Sequence, residues 1–373
     1  MSWVSCRGQW PFATGAAVLG AAVLGAVVLV GCGGGGGSKS PSNPTPPNFS
    51  VEVLVSGATL PTALAFAPDG SNRLFYLEKS GAVRIVENGS LRGQPFATLP
   101  VVTSGEQGLL GLAFDPNFRS NRRIYFYHTA PAEGQKPARN RVVRLTDQNS
   151  AGTGLQVVVD DLPTNTIHVG GRLGFGDDGK LYVSIGDVGD PANSQNASVR
   201  AGKLLRFNAD GTIPSDNPTS GNPSFAQGLR NPFGLAFHPS NGTPYVSENG
   251  PSCDDELNRV RSGANFGWRP GDACGTGDDA GFTLPVARFN PSISPTGMTF
   301  YSGRVFPEFR GQLFMASFND SSLRRFVVSG DGATEQERIS DARFNRLTDV
   351  AQGPDGNLYV AGIDAITRVV RRD

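Results

Sequence analysis

The sequence predicts an all-β fold, a six-bladed β-propeller, and three observations support that prediction. Gly (49) and Pro (27) make up about a fifth of the 373 residues, and both interrupt helices and populate turns. Hydrophobic residues account for 38% of the chain and include 23 Phe, which argues against wholesale disorder. One phrase recurs six times along the chain, which is typical of repeat architectures. A helical bundle and a coiled coil are both disfavoured.

The recurring phrase is an apolar strand that ends in Phe, a turn rich in Pro, Asp and Gly, and a second apolar strand. Its markers are Phe66, Phe114, Phe175, Phe237, Phe300 and Gln352. The distance between successive markers leaves room for four strands and their loops in each unit. Because a single hairpin cannot bury both of its faces, we expect the six units to stack as blades around an axis. These units take up residues 49–373.

The first 31 residues are interpreted as a lipoprotein signal peptide. An uncharged run rich in Ala, Val, Leu and Gly ends at Leu29-Val30-Gly31-Cys32, which resembles a bacterial lipobox and implies cleavage and lipidation at Cys32. A signal anchor or an ordinary signal peptide is the alternative. Residues 32–48 contain five consecutive Gly and four Pro, so we expect a flexible tether. The protein is expected in the cell envelope, lipid-anchored to the outer membrane and facing the periplasm.

Two cysteines remain beyond the anchor. Cys253 and Cys274 lie in one loop-like stretch, and in an oxidising compartment we expect them to form a disulfide. Two separate reduced thiols are the alternative. Two cysteines alone cannot complete a closed zinc site.

The third unit carries the strongest candidate for a catalytic pair. His168 precedes the inner strand of this unit and is followed by Gly170 and Gly171, whose small size would let a ligand approach. Asp187 follows the second strand, so a hairpin would bring it to the same end as His168. A carboxylate there can orient an imidazole and raise its basicity. An Asp that only satisfies turn amides is the alternative.

Further polar residues follow in the fourth unit. Arg230 and Asn231 stand immediately before its inner strand, where they could present a cation and an amide to the mouth of the channel, or form a solvated turn. Residues 248–258 combine several carboxylates with a Gly-Pro turn. Such oxygens suit Ca²⁺, although the spacing is not that of an EF-hand, and a solvated acidic turn is the alternative. The other histidines, His128 and His238, are interpreted as structural.

These residues lie within phrases that resemble the soluble PQQ-dependent glucose dehydrogenase and aldose sugar dehydrogenase family, also called the glucose/sorbosone dehydrogenase domain. The resemblance covers about residues 53–370. The matching phrases are Gly105-Glu106-Gln107-Gly108-Leu109-Leu110-Gly111, His168-Val169-Gly170-Gly171-Arg172-Leu173, Ile185-Gly186-Asp187-Val188-Gly189, Gly202-Lys203-Leu204-Leu205-Arg206, Leu229-Arg230-Asn231-Pro232 and Asn265-Phe266-Gly267-Trp268. Because they occur in one order, they are more specific than any single motif.

The resemblance implies a six-bladed propeller that oxidises aldoses at the anomeric carbon to lactones. His168 would be the base, Asp187 its partner, and Arg230 the cation at the quinone oxygens of PQQ, with Asn231 beside it. The calcium site implied for the cofactor consists of Gly250 and Pro251, with Asp254, Asp255 and Glu256 in the supporting acidic loop.

Two positions depart from the family pattern in the cations that hold PQQ, a tricarboxylate. Asn319 stands where the family has Lys, and Thr348 stands where it has a second Arg beside the retained Arg346. Two hypotheses follow. The first is a quinoprotein sugar dehydrogenase that requires PQQ and calcium. The second is a non-catalytic propeller lipoprotein that binds a carbohydrate or a protein partner and has lost PQQ. A lactonase-type propeller would need more recurrent carboxylate and Asn ligands on its axis.

Under the first hypothesis the partners are a sugar and an electron acceptor. Nucleic acid is not expected, because 33 Lys and Arg balance 33 Asp and Glu and leave no net positive charge. Contact with the membrane is expected only through the lipid anchor.

Overall fold

The strands assemble into six antiparallel sheets that follow one another along the chain, so the predicted six-bladed propeller is confirmed. The computed structural model describes residues 49–272, 274 and 281–372. The predicted signal peptide (residues 1–31) and the tether (residues 32–48), with Cys32, lie outside the described residues. Within the described ranges, no helix is long and apolar enough to cross a membrane.

Each blade begins with an inner strand and ends with an outer strand, and β1 (Phe49–Ser56) belongs to the last blade. The first blade consists of β2 (Pro61–Phe66), β3 (Leu74–Glu78), β4 (Ala82–Glu87), β5 (Ser90–Leu91) and β6 (Ala97–Thr98). The second consists of β7 (Leu109–Phe114), β8 (Arg123–Ala130), β9 (Arg139–Gln148) and β10 (Ala151–Leu162). The third consists of β11 (Leu173–Phe175), β12 (Leu181–Ile185), β13 (Lys203–Phe207) and β14 (Ser224–Gln227). The fourth blade consists of β15 (Pro232–Phe237), β16 (Pro244–Glu248), β17 (Asp255–Arg259) and β18 (Ala287–Phe289). The fifth consists of β19 (Pro295–Phe300), β20 (Leu313–Ser317), β21 (Ser322–Ser329) and β22 (Gly332–Ser340). The sixth consists of β23 (Asp349–Gln352), β24 (Leu358–Ala361) and β25 (Ala365–Arg371), with β1. Short helical turns span α1 (Phe118–Asn121), α2 (Ala192–Gln195) and the 3₁₀ turn Pro307–Phe309.

The ring of blades closes through the N-terminal strand. β1 pairs antiparallel with β25, from Phe49 opposite Arg371 to Ser56 opposite Ala365. The last blade is therefore built from both ends of the described chain. The inner strands also pack against one another in a closed circle, with β23 against β2. The six inner strands therefore form a closed ring by packing, while each remains the end strand of its own sheet.

Five inner strands end in a Phe that joins its blade to the preceding one. In five blades this Phe packs edge-on against an aromatic ring of the preceding blade's second strand, with ring centroids 4.8–5.4 Å apart. The pairs are Phe66–Tyr359, Phe114–Phe75, Phe175–Tyr125, Phe237–Tyr182 and Phe300–Tyr245. Such edge-to-face contacts stabilise a core beyond their apolar area. The recurring Phe of the sequence is thus an inter-blade contact.

The hairpin of each blade places two loops at one end of the channel. In the third blade, Leu173 of β11 pairs with Val183 of β12, so the residues that enter β11 meet those that leave β12. A buried ion pair spans the channel near this end. Arg172 Nη1 lies 3.0 Å from Asp349 Oδ2, which also accepts a hydrogen bond from the Leu64 backbone N–H at 2.8 Å. This carboxylate ties the first, third and last blades together.

Candidate active site

His168 and Asp187 meet at the channel end of the third blade. Nδ1 of His168 lies 2.6 Å from Oδ1 of Asp187. The intervening loops approach closely because residue 186 is Gly: a Cβ there would lie 2.2 Å from the His168 carbonyl oxygen and 2.8 Å from that of Arg230. His168 itself has a φ of +53°, in the left-handed region that few side chains adopt. The local backbone is shaped to bring this imidazole to this carboxylate.

The Asp187 carboxylate is buried, with a relative exposure of 0%. Its Oδ1 accepts a hydrogen bond from the Gly189 N–H at 2.7 Å, and its Oδ2 accepts one from Trp268 Nε1 at 2.8 Å. An ionised carboxylate only accepts, so Nδ1 of a neutral His168 carries the proton and Nε2 presents its lone pair. The imidazole, 13% exposed, can therefore take a proton from a ligand hydroxyl at Nε2.

Glu106 is a site residue that the sequence analysis missed. Its Oε2 accepts hydrogen bonds from the His168 backbone N–H at 2.9 Å and from Asn231 Nδ2 at 3.2 Å. Glu106 precedes β7 just as His168 precedes β11, and it lies within a phrase that resembles the family. Those two signals together could have identified it. The carboxylate connects the second, third and fourth blades at the site.

Trp268, the last residue of the Asn265-Phe266-Gly267-Trp268 motif, contacts two of the predicted site residues. Its indole N–H donates to Asp187, and its ring lies under the guanidinium of Arg230, 5.5 Å from ring centroid to Cζ. Cations over aromatic faces are attracted to the ring. Trp268 follows Asp187 by 81 residues, so no local pattern in the sequence indicates the contact.

Arg230 faces the loop that follows β16. Its Nη1 donates to the carbonyl oxygens of Asn249 and Gly250, both at 2.8 Å. Burial lowers the pKa of Arg230, although the guanidinium remains a cation at neutral pH. Nearby carboxylates, Asp187 first, favour that charge. The structure thus brings Arg230, Asn231 and Gly250 together with the His168–Asp187 pair.

Glu248 begins the acidic stretch of residues 248–258, although the sequence analysis assigned it no role of its own. It is 5% exposed, and its Oε1 accepts hydrogen bonds from the backbone N–H groups of Arg230 and Asn231. Among the described residues its Oε2 has no hydrogen-bond partner. Burial raises the pKa of Glu248 well above its usual range. A buried oxygen left without a donor is costly unless a ligand or cation satisfies it.

A cleft beside Arg230 contains most of the predicted metal residues. Glu248, Gly250, Pro251, Asp254 and Glu256 all line it. Carboxylate and carbonyl oxygens are the ligands that Ca²⁺ prefers, so this donor set, with the unpartnered oxygen of Glu248, fits a calcium ion. Burial raises the pKa of Glu256 to about 7.

Asp255, by contrast, is committed to the backbone. It is 0% exposed. Its Oδ1 accepts the Gly250 N–H at 2.9 Å, and its Oδ2 accepts the N–H groups of Ile293 and Ser294 at 2.6 and 2.7 Å. Because these donors occupy both oxygens, Asp255 shapes the Gly250 loop and joins it to the fifth blade.

Cys253 and Cys274 form a disulfide in the structure, with their Cα atoms 5.7 Å apart. The bond links the loop that carries Gly250 and Pro251 to the segment that follows Trp268. Both segments line the cleft.

The three predicted anchors for a tricarboxylate do not line this cleft in the described part of the chain. Asn319 is exposed, and its Nδ2 donates to the Ser292 carbonyl at 3.1 Å. Arg346 is exposed, with its guanidinium 5.5 Å from the Phe318 ring centroid. Thr348 is 8% exposed, and its hydroxyl donates to the Ala361 carbonyl at 3.3 Å. These residues belong to the two blades that follow the cleft.

The remaining histidines have structural partners. His128 is fully buried, with Nδ1 3.1 Å from the Pro100 carbonyl oxygen and Nε2 accepting from Arg141 Nε at 3.1 Å. His238 lies in the β15–β16 turn, at the end opposite the site, and its ring packs 5.0 Å from that of Phe300.

Known proteins resemble the chain in sequence and in structure. The sequence profile of the family Glucose / Sorbosone dehydrogenase matches residues 58–371. The chain belongs to this glucose/sorbosone dehydrogenase family. It is 33% identical to aldose sugar dehydrogenase YliI from Escherichia coli strain K12, over 84% of this chain and 90% of that protein. The PQQ-bound structure of an aldose sugar dehydrogenase from Streptomyces coelicolor is 29% identical, with a TM-score of 0.75, over 88% of this chain and 99% of that one. The human Hedgehog-interacting protein is 33% identical to the chain. The match covers 58% of the chain and 36% of the Hedgehog-interacting protein.

Proposed function

We propose that this protein is a quinoprotein sugar dehydrogenase, which oxidises aldoses at the anomeric carbon to lactones with PQQ and Ca²⁺. The observation that carries the proposal is the 2.6 Å contact between His168 Nδ1 and Asp187 Oδ1 at the channel end. Membership of the glucose/sorbosone dehydrogenase family supports it. So does the similarity to a PQQ-bound aldose sugar dehydrogenase.

In this proposal His168 is the general base. Nε2 accepts the proton of the anomeric hydroxyl while the hydrogen on the anomeric carbon leaves with its electron pair, so the C–OH becomes the C=O of the lactone. PQQ, when bound, supplies the two-electron acceptor. Asp187 holds the imidazole in the required tautomer and stabilises the imidazolium that forms. The imidazole is partly exposed, with 13% of its side-chain surface accessible.

The cleft beside Arg230 offers the groups that such a cofactor needs at its quinone. Arg230 is a fixed cation that can stabilise negative charge developing on the reduced quinone. Calcium would be held by carbonyl oxygens of Gly250 and Pro251 and by the unpartnered carboxylate oxygen of Glu248. Asp254 and Glu256 add negative charge to the same cleft. The donor set therefore fits a divalent cation next to Arg230.

The opposite end of the cofactor has fewer cations than the family pattern. Asn319 and Thr348 are neutral, and Arg346 is the cation retained among the three predicted anchors. This observation favours the second candidate function, a non-catalytic propeller that binds a carbohydrate or a protein. The Hedgehog-interacting protein, a relative that is not named for catalysis, is consistent with that alternative.

Reconstitution separates the two functions. The purified chain is titrated with PQQ and Ca²⁺ and then assayed on a panel of aldoses with an artificial electron acceptor. The dehydrogenase proposal expects holoprotein at micromolar PQQ, and loss of turnover in His168→Gln with PQQ binding retained. His238→Gln, at the opposite end of the fold, is the matched control and should keep full activity. Absence of holoprotein would reject the dehydrogenase in favour of the binding module.

We also propose that the propeller is held at the outer membrane by lipid on Cys32, facing the periplasm. The resemblance of Leu29-Val30-Gly31-Cys32 to a lipobox supports this location. Labelling with a radioactive fatty acid should mark the wild-type chain and leave Cys32→Ser unlabelled. Equal labelling of both chains would reject the anchor.

A further inference from the structure

We propose that Trp268 is a positioning residue of the site. Its indole N–H orients the Asp187 carboxylate and, through it, the His168 imidazole, and its ring supports the Arg230 guanidinium. The inference rests on the proposed function for its catalytic consequence. Its structural part stands on the contacts of Trp268 alone.

Trp268 contacts the buried carboxylate of Asp187. Asp187 Oδ1 is held by two groups, the His168 Nδ1–H and the Gly189 N–H. Its Oδ2 has one hydrogen-bond donor among the described residues, Trp268 Nε1 at 2.8 Å. Without the indole N–H, Oδ2 would be a buried anionic oxygen with no donor, which is costly. The carboxylate would then be free to rotate about its Cβ–Cγ bond to find another partner.

That rotation would reach the catalytic imidazole. The tautomer of a histidine is determined by the hydrogen bond at its other ring nitrogen. With Asp187 in place, the proton stays on Nδ1 and Nε2 is free to act as a base. When the carboxylate turns, the two tautomers of His168 come closer in energy, and the fraction with a free Nε2 decreases. Trp268 thus acts on the base through Asp187.

The ring face of Trp268 contacts Arg230. The guanidinium of Arg230 lies over the indole at 5.5 Å and donates to the Asn249 and Gly250 carbonyls. Trp268, Arg230 and Gly250 line the same cleft. One rigid aromatic side chain therefore sets the distance between the proton acceptor on the third blade and the cation on the fourth.

The main chain of Trp268 is held by hydrogen bonds on both sides of the residue. Gln195, at the end of α2, donates from Nε2 to the Trp268 carbonyl at 2.9 Å and to Asn265 Oδ1 at 3.0 Å. The Trp268 N–H donates to the Gly228 carbonyl at 3.1 Å. Hydrogen bonds at both its N–H and its C=O therefore hold the backbone of Trp268 in place.

The test uses the full chain without cofactor, so it does not depend on the proposed oxidation. The chain contains three His, and His168→Gln assigns the His168 signals in ¹⁵N spectra of ring-labelled protein. In the wild type at pH 8 we expect a single tautomer, protonated at Nδ1. In Trp268→Phe, which keeps an aromatic ring and removes the N–H, we expect mixed tautomers. Ring shifts identical to wild type would overturn the inference.

A second measurement remains informative if Trp268→Phe does not fold. The indole N–H signal of Trp268 in the wild-type chain should move upfield in Asp187→Asn, because the charged acceptor is lost. No movement would overturn the proposed contact. In the loaded enzyme, Trp268→Phe should lower kcat by about 10- to 100-fold, which does not exceed the lower limit of the roughly 10²- to 10⁴-fold that general base catalysis supplies. KM for the sugar should stay within a few-fold. Unchanged kcat with altered tautomers would reject the catalytic consequence alone, whereas failure to form holoprotein would reject only the proposed function.

Discussion

Nδ1 of His168 lies 2.6 Å from Oδ1 of Asp187, although 19 residues separate them in the chain. The β11–β12 hairpin produces this proximity, because antiparallel pairing returns the chain to the end at which it entered the strand. Gly186 then lets the two loops pack without a side chain between them.

Asp187→Asn should separate the charge of this carboxylate from its shape. We expect kcat to fall on the order of 10²- to 10⁴-fold, because an amide neither stabilises an imidazolium nor fixes the tautomer as a carboxylate does. Steady-state kinetics of the protein reconstituted with PQQ and Ca²⁺ measure the effect. Asp190→Asn is the matched control: this exposed carboxylate lies in the same loop, and within the described part of the chain it accepts only the Ala192 N–H. Equal activity of both variants would contradict the role assigned to Asp187.

Glu106 should be replaceable by an acceptor of the same shape. Glu106→Gln keeps an oxygen for the His168 N–H and for Asn231 Nδ2, so its kcat should stay within a few-fold of wild type. Glu106→Ala loses both hydrogen bonds, each of roughly 1 kcal/mol, and kcat should fall about tenfold or more. The same kinetic assay compares the two. If Gln is as damaging as Ala, the negative charge of Glu106 matters rather than its acceptor geometry.

Restoring a cation should strengthen cofactor binding. Asn319 is exposed, so Asn319→Lys can be accommodated, and a new charge-assisted contact of about 1.5–3 kcal/mol would tighten PQQ binding roughly 10- to 100-fold. Titration with PQQ at fixed Ca²⁺ gives the Kd. Asn241→Lys adds the same charge in the exposed β15–β16 turn at the other end of the fold, and it should leave the Kd unchanged. A similar gain in both variants would indicate a non-specific effect of charge.

His128 should make stability fall in mild acid. Burial, with the nearby Arg141 cation, holds the pKa of His128 at about 4, below the 6.5 expected in the unfolded chain. Between these values the unfolded state binds more protons, so the free energy of unfolding falls as the pH drops from 6.5 to 4, by up to about 3 kcal/mol.

Urea unfolding at several pH values measures this component. His128→Gln should lack it, so the stability difference between wild type and variant should shrink as the pH falls. His238→Gln, at a partly exposed position, should keep most of the wild-type slope. A pH dependence that is the same in His128→Gln and wild type would assign the acid sensitivity to other groups.

The buried pair Arg172–Asp349 should matter most for the closure of the ring. Arg172→Met leaves the carboxylate buried without its cation, and burial already raises the pKa of Asp349. Removing one partner of a buried pair typically costs about 3–5 kcal/mol. Urea unfolding should detect this loss, and adding Asp349→Asn should recover part of it. A loss below about 1 kcal/mol would mean that the pair contributes little.

The six-bladed architecture and the contact between His168 and Asp187 could both be predicted from the sequence. Six copies of one strand–turn–strand phrase predict six blades because an isolated hairpin cannot bury its faces. The position of His168 before one strand and of Asp187 after the next predicts their meeting, because hairpin pairing is local. The disulfide partners were also predictable, since few cysteines were available.

The rest of the site depends on contacts between blades. Glu106, Glu248 and Trp268 reach it from the second and fourth blades, and such contacts depend on how closed blades align rather than on local periodicity. The folded structure gives two carboxylates of the acidic segment different surroundings. Backbone N–H groups occupy both oxygens of Asp255, whereas one oxygen of Glu248 has no partner among the described residues and lies beside the cleft. Both are carboxylates of one short segment, and only their surroundings after folding distinguish a backbone tie from a candidate ligand.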